Sequence, residues 1–294
     1  MERDIREFIS YLHNTKRTTY NTEVSYQRDL KKMVSFLRER GISEISMIRE
    51  QDLEDYLHEM ETGNFASASI SRTVASMRAF FQHMYQEGKI KEDPSAGLRR
   101  PKVEKKMPEI LTVEEVEMLL EQPDQQTMKG LRDSAMLELL YATGMRVSEL
   151  LHLNVSDVNL RLSYVTCHDG NKERVIPIGH VSRDVLDRYL RECRPSFVED
   201  GNEKALFTNV AGKPMSRQGF WKVLKGYAEE AGIQRDITPH TLRHSFAVHM
   251  LQNGADVRSV QVMMGHSDIS TTQIYLNMNT IKMRDVYMRA HPRH

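Results

Sequence analysis

The stretch from Pro239 to Tyr275 holds the residue types best suited to chemistry. It reads Pro-His-Thr-Leu-Arg-His at its start, Met-Gly-His-Ser in the middle and Thr-Thr-Gln-Ile-Tyr at its end. His240 and Arg243 are three residues apart, so a helix presents them on one face. Thr238 fits an N-cap and Pro239 the first helical position. Both side chains then fall in the first turn, where unpaired N–H groups and the helix dipole favour an anion. Ser270 and Gln273 have capping-box spacing, which predicts a second short helix carrying Tyr275. The chemistry on offer is a phosphate held by His240, Arg243 and His266, with the Tyr275 hydroxyl brought up to it.

Two more candidates stand upstream. Arg146 follows a helix-closing glycine in Gly-Met-Arg-Val-Ser-Glu-Leu, with Glu149 three residues on. Lys172 lies in His168-Asp169-Gly170-Asn171-Lys172-Glu173, which reads as a hairpin turn. Taken singly, each has a plainer reading. Arg146 suits a surface ion pair and Lys172 a solvated loop. His240 or His266 suits packing or capping, and Tyr275 a half-buried ring. His240 and His244, four apart, also have zinc-compatible spacing, and His266 supplies a third ligand for a rival reading as a metal-dependent hydrolase.

Apolar spacing from Glu2 to about Gly88 predicts helices that position a first domain. Phe8, Tyr11 and Leu12 form one stripe, and Tyr20, Val24, Leu30, Val34 and Leu37 a longer helix stopping at Gly41. Leu53, Tyr56, Leu57 and Met60 make a third, ending near Gly63. Ile70, Val74, Met77, Phe80, Phe81 and Met84 make a fourth, ending at Gly88. Four amphipathic helices with short loops bury a small all-α core. Lys16 and Arg17 stand where a helix begins, and Arg72 and Arg78 on the polar side of the fourth. They are candidate DNA contacts that also read as a solvated face. After Asp93-Pro94 come Arg99, Arg100, Lys102, Lys105 and Lys106, flanked by prolines. This basic stretch is either a linker kept soluble by charge or one lying along a phosphate backbone.

A second domain starts at Thr112. Thr112 and Glu115 form a capping box, with Leu111 and Val116 as a hydrophobic staple. Leu131 to Ala142 is a strongly apolar helix closed by Gly144. Leu162 to Thr166 and Arg174 to Ile178 read as short strands. The remainder is mainly helical, over Val181 to Arg191, Ser216 to Ala231, Thr241 to Asn253, Val257 to Met264 and a tail from Thr280. The fold class expected is mainly α with a small antiparallel β-sheet.

Composition sets the outer limits. A length of 294 residues suits one large or two medium domains. The boundaries expected are an all-α domain over 1–97, a basic linker over 98–110 and a catalytic domain over 111–294. The 41 basic and 41 acidic residues cancel, so composition alone does not suggest a nucleic-acid partner, and that reading must rest on where charges sit. Cys167 and Cys193 are far apart without CxxC spacing, which suits a reducing cytoplasm with no disulfide framework or cysteine zinc site. No apolar run is long enough to span a membrane, and the N-terminus lacks a signal-peptide pattern.

The ordered set Arg146, Lys172, His240-x-x-Arg243, Gly265-His266 and Tyr275 resembles the tyrosine site-specific recombinases, the integrase family. The resemblance covers nearly the whole chain. Within the family it looks most like the bacterial Xer recombinases, and the closing His291-Pro292-Arg293 looks closest to the XerD branch. The resemblance implies a two-domain DNA clamp, with a SAM-like core-binding domain and an α+β catalytic domain. It implies that Arg146 and Arg243 clamp the scissile phosphate and that His240 accepts or orients the tyrosine proton. Lys172 then protonates the leaving 5′ oxygen, His266 donates to a non-bridging oxygen, and Tyr275 is the nucleophile of a 3′-phosphotyrosyl link. Glu149 and His244 fall on supporting positions. By the same resemblance the tail over 279–294 docks into a neighbouring subunit. The partners implied are double-stranded DNA, a tetramer (four copies, or two plus two with a paired Xer recombinase) and a DNA-translocase activator. The task implied is resolving chromosome or plasmid dimers; the alternative is a mobile-element integrase.

The proposed helpers answer a quantitative need. A phenol of pKa ~10 is ionised to about one part in a thousand at neutral pH, a deficit of roughly 4 kcal/mol. Its target is itself an anion, and two arginines lower that repulsion and favour the extra charge of the pentacoordinate transition state. No ATP is expected, because the covalent link conserves the bond energy, and nothing in the mechanism calls for a metal or cofactor. The wording departs from the family's in places. Met264 precedes Gly265-His266 where leucine is usual, Leu276-Asn277 follows the tyrosine where Thr-His is frequent, and the hairpin has fewer basic residues than many relatives.

Overall fold

Helix-forming stretches alternate with short connections through most of the described chain. The computed structural model describes residues 1–101, 109–169, 172–198 and 203–265. The chain divides into two compact units, Met1–Lys106 and Met107–His294.

The first unit holds α1 (Glu2–Asn14), α2 (Tyr20–Glu39), α3 (Glu50–Thr62) and α4 (Ser67–Gln86). Thr19 caps α2 by accepting from the Thr22 N–H. The expected stripes turn inward: Phe8, Leu30, Leu37, Leu53, Val74, Met77, Phe80 and Phe81 are all buried in one core. Phe8 meets Phe80 edge-on at 5.5 Å between ring centres, a favourable arrangement of the ring quadrupoles. Leu98 belongs to this core too.

The second unit opens on α5 (Val113–Glu121), whose capping box forms as its sequence predicts. Next comes α6 (Met128–Thr143), buried along most of its length, with the buried Arg132 and Asp133 paired at 2.6 Å. After α7 (Val147–His152) the chain lays down β1 (Val158–Asn159), β2 (Tyr164–Asp169) and β3 (Lys172–Pro177), an antiparallel sheet in that order. Then follow α8 (His180–Arg188), a π-helical turn over Tyr189–Cys193 and α9 (Arg194–Phe197). The unit's described part ends with α10 (Arg217–Glu230), α11 (Pro239–Gln252) and α12 (Val257–Met264).

The strands correct the expected boundaries. Leu162 lies in a turn, 62 % exposed, rather than in a strand. The ladder runs out to the pair Asp169–Lys172, so His168, Asp169, Lys172 and Glu173 stand in strands rather than in the connection. Side-chain pairing across this end supports the extra length: His168 meets both Asp157 at 3.3 Å and Glu173 at 3.2 Å. The expected helix over Val181 to Arg191 is also longer, running through the π turn. The tail from Thr280 and the helix at Ser270–Tyr275 lie outside the described residues.

Candidate active site

A tight turn sets the first arginine. α6 ends on Gly144, whose φ of +57° is a left-handed conformation that favours glycine. A Cβ there would stand 2.1 Å from a ring carbon of Phe246, so glycine is required twice over. Two residues later Arg146 is the N-cap of α7, and its backbone N–H donates to Glu149 Oε2 at 2.6 Å. Glu149 sits at the third helical position, the place from which a carboxylate reaches back to the cap.

Glu149 is the hub of the site. Its Oε1 accepts from Arg146 Nη1 at 3.1 Å and Arg174 Nη1 at 2.7 Å, and its Oε2 also accepts from Arg174 Nη2 at 2.8 Å. Burial pushes this carboxyl up, but the bonds from Arg174 and the Arg146 N–H, with both guanidinium charges, outweigh it and hold it below its ordinary value. Burial also opposes the charge on Arg174, and Glu149 more than restores it. The pair is ionised on both sides.

Three arginines from three elements converge on the end of α12. Arg174 Nε donates to the Met263 carbonyl at 2.8 Å, Arg243 Nη2 to Met264 at 2.6 Å and Arg146 Nη2 to Gly265 at 3.0 Å. Arg243 also spans to the Gly144 carbonyl at 2.6 Å through Nη1. The helix end is therefore capped by side chains carried on α7, β3 and α11. Gly265 has φ +64°, and a Cβ on it would lie 2.9 Å from the Arg174 guanidinium carbon.

A cleft of about 270 Å³ opens beside this cluster, lined among others by Arg146, Asp169, Lys172, Arg174 and Gly265. Lys172 is exposed at its edge. Asp169 reaches Arg146 Nη1 at 3.0 Å. The start of α11 forms as its sequence predicts, with Thr238 accepting from the Thr241 N–H and Pro239 first in the helix. Arg243 is buried, 4 % exposed, whereas His240 is exposed one turn earlier. Desolvation lowers the His240 pKa, and the charges of Arg243, Arg217 and Arg146 lower it further, so the ring is neutral at neutral pH. Burial, His240 and Arg243 together push His244 down to about 4.

Of the residues singled out from the sequence, Arg146, Glu149, Lys172 and Arg243 come together, with His240 and His244 on the helix that supplies Arg243. The ring centres of His240 and His244 are 6.3 Å apart. His266 and Tyr275 lie outside the described residues, as do Lys102, Lys105 and Lys106. In the first unit, Lys16 stands 6.0 Å over the Tyr11 ring, and Arg17, Arg99 and Arg100 are exposed. Arg72 forms a two-pronged pair with the buried Asp29 at 2.8 and 2.9 Å, and Arg78 donates to the Ala96 and Leu98 carbonyls. Both therefore hold the first unit together. Sequence reasoning missed Arg174 as a site residue. Its signal was the period of two: it faces the same way as the buried Ile176, and it pairs across the sheet with the buried Cys167.

Comparison with known proteins places the chain in a family. Residues 109–281 match the Phage integrase family, and residues 5–88 the phage integrase N-terminal SAM-like domain. Tyrosine recombinase XerD of Staphylococcus epidermidis is 43% identical over 290 residues, 98% of each chain. The XerD of Staphylococcus haemolyticus is 43% identical over 294 residues, 100% of each, and that of Listeria monocytogenes 41% over 292 residues, 98% of each. Among solved structures, XerA recombinase is 27% identical and covers 99% of each chain at a TM-score of 0.57. XerH recombinase bound to a palindromic difH substrate shares the fold at a TM-score of 0.75, with 20% identity, over 97% of this chain and 93% of that one.

Proposed function

The chain belongs to the phage integrase family and is a tyrosine recombinase, and we propose that it cuts and rejoins duplex DNA through Tyr275. Arg146 and Arg243 bind the non-bridging oxygens of the scissile phosphate. Planar guanidinium forks suit that role because they match phosphate oxygens and stay charged. Neutral His240 takes the Tyr275 proton as the phenolic oxygen bonds to phosphorus. The bond to the 5′ oxygen breaks and Lys172 gives that oxygen its proton. The product is a 3′-phosphotyrosyl link and a free 5′ hydroxyl, and the reverse attack by a 5′ hydroxyl on another strand restores the backbone without ATP. His266 donates to a non-bridging oxygen, Glu149 holds Arg146, and His244 supports His240.

The observation that supports these roles is the convergence of Arg146 and Arg243 on the consecutive carbonyls of Gly265 and Met264, next in sequence to His266. By likeness to the XerD proteins, the task is resolving chromosome or plasmid dimers in the cytoplasm. Four protomers, or two with two of a paired Xer recombinase, act at the site under a DNA-translocase activator. Lys16, Arg17, Arg99, Arg100 and the lysines at 102, 105 and 106, with Arg72 and Arg78 beside their structural contacts, are the basic residues assigned to the DNA backbone.

Covalent trapping tests the chemistry. The protein is mixed with nicked duplexes carrying candidate recombination sites, without metal, and a detergent-resistant adduct is sought. We expect an adduct with wild type and none with Tyr275→Phe. An adduct that persists in Tyr275→Phe overturns the assignment of the nucleophile.

A further inference from the structure

We infer that Asp169 is an internal competitor for the phosphate site, a carboxylate seated on the Arg146 guanidinium that a DNA phosphate must displace. The inference rests on the reading of Arg146 as a phosphate-binding residue. Among the described residues the Arg146 side chain has three partners, and they differ in kind. Glu149 is buried, 5 % exposed at its side chain, and tied to Arg174. The Gly265 carbonyl is backbone at the end of a helix. Asp169, by contrast, is a side chain in the open, 59 % exposed, meeting Nη1 at 3.0 Å.

The geometry makes displacement the natural outcome. Carboxylate and phosphate oxygens use the same guanidinium N–H groups. Asp169 and Lys172 are register partners at the end of the β2–β3 ladder, which places the carboxylate on the cleft that Lys172 also lines. Among the described residues, the neighbouring acids Glu173 and Asp157 both meet His168. An arriving phosphate therefore finds Arg146 already paired with an anion, and that anion repels it until the Asp169 side chain swings into solvent. An exposed ion pair of this kind holds its partner by about a two- to fivefold factor. Asp169 thus sets how firmly the site takes a phosphate, acting through Arg146 as a positioning residue.

The test is a double-mutant cycle on the full chain. Binding of a fluorescein-labelled duplex is measured by anisotropy for wild type, Asp169→Asn, Arg146→Ala and the double variant, with thermal melts to confirm folding. Asp169→Asn is expected to tighten binding by about two- to fivefold, and the gain is expected to vanish on the Arg146→Ala background. No gain, or an equal gain with and without Arg146, overturns the inference; the second result would mean that a charge anywhere near the duplex does the same. Failure of the underlying reading shows separately. In that case Arg146→Ala leaves duplex affinity unchanged and the adduct survives in Tyr275→Phe.

Discussion

Replacing Glu149 by glutamine removes a charge while keeping the side chain's shape, and so reports how the arginines are held. The Glu149 side chain is 5 % exposed, and its carboxylate takes four N–H donors from Arg146 and Arg174. An ionised carboxylate offers about four lone-pair sites, so all are in use. Glutamine keeps one acceptor oxygen and places an amide donor where the other stood, facing N–H groups. Arg174, 12 % exposed at its side chain, then keeps its charge but loses its hydrogen-bonded counter-ion. Removing one partner of a buried pair costs about 3–5 kcal/mol. For a unit of this size each kcal/mol lowers Tm by about 2–4 °C, which gives a fall of roughly 6–20 °C in the transition of the C-terminal unit. Scanning calorimetry of Glu149→Gln and wild type at neutral pH reads this directly. The sign of the pH dependence adds a second check. The folded pKa of Glu149 lies below its ordinary value, so the unfolded state binds the proton first as pH falls. The stabilisation is full above the ordinary carboxylate range and is lost as pH drops through the folded value. The gap between wild type and Glu149→Gln must therefore narrow in acid. A fall of less than about 2 °C, or a gap that widens in acid, refutes the account of Glu149 as a buried, ionised hub.

Gly144→Ala is expected to lower stability by about 2–4 kcal/mol, combining the left-handed backbone with displacement of the Phe246 ring, as read from the urea midpoint. For His244 the folded pKa of about 4 lies below the ordinary 6.5. The unfolded state thus takes up a proton that the folded state refuses, and stability is lost as pH falls across that window. Substituting His244→Asn should flatten the fall of Tm between those two pH values.

Local signals were legible where one short stretch decides the structure. Thr112 with Glu115, Thr238 before Pro239, and Gly144 after an apolar helix each carry their instruction within a few residues, and each forms as read. Periodicity likewise gave the core of the first unit, because Phe8, Leu37 and Phe80 face inward for the same reason that they recur. Contacts between distant residues were not legible. Arg72 finds Asp29 across 43 residues, and nothing in either neighbourhood announces the pair. The contact of Arg243 with the Gly144 carbonyl, 99 residues away, had no local signal either. Arg174 stood in an expected strand, yet its place among the site residues depends on which face the strand buries, and that is fixed by pairing with β2. The strands themselves ran two or three residues beyond expectation, because charged pairs at the open end extend a ladder that apolar alternation does not mark.

The three arginines show how one set of contacts serves both folding and chemistry. A helix leaves its last carbonyls without intrahelical partners and gathers about half a negative charge there. At the end of α12 those carbonyls meet guanidiniums from three other elements. Each arginine side chain has about 2 kcal/mol of rotamer entropy to lose on being ordered. Here much of that loss is met on folding, before any ligand arrives. The two arginines assigned to the phosphate are nevertheless unequal. Arg146 is 35 % exposed at its side chain and opens on the cleft, whereas Arg243 is almost wholly enclosed and bonds Gly144 and Met264 at once. Bridging the end of α6 to the end of α12 requires a rigid fork with donors on both arms, which a lysine ammonium on a flexible stem does not supply. The enclosed guanidinium thus joins the end of α6 to the end of α12. Its exposed neighbour can exchange Asp169 for a phosphate without disturbing that join.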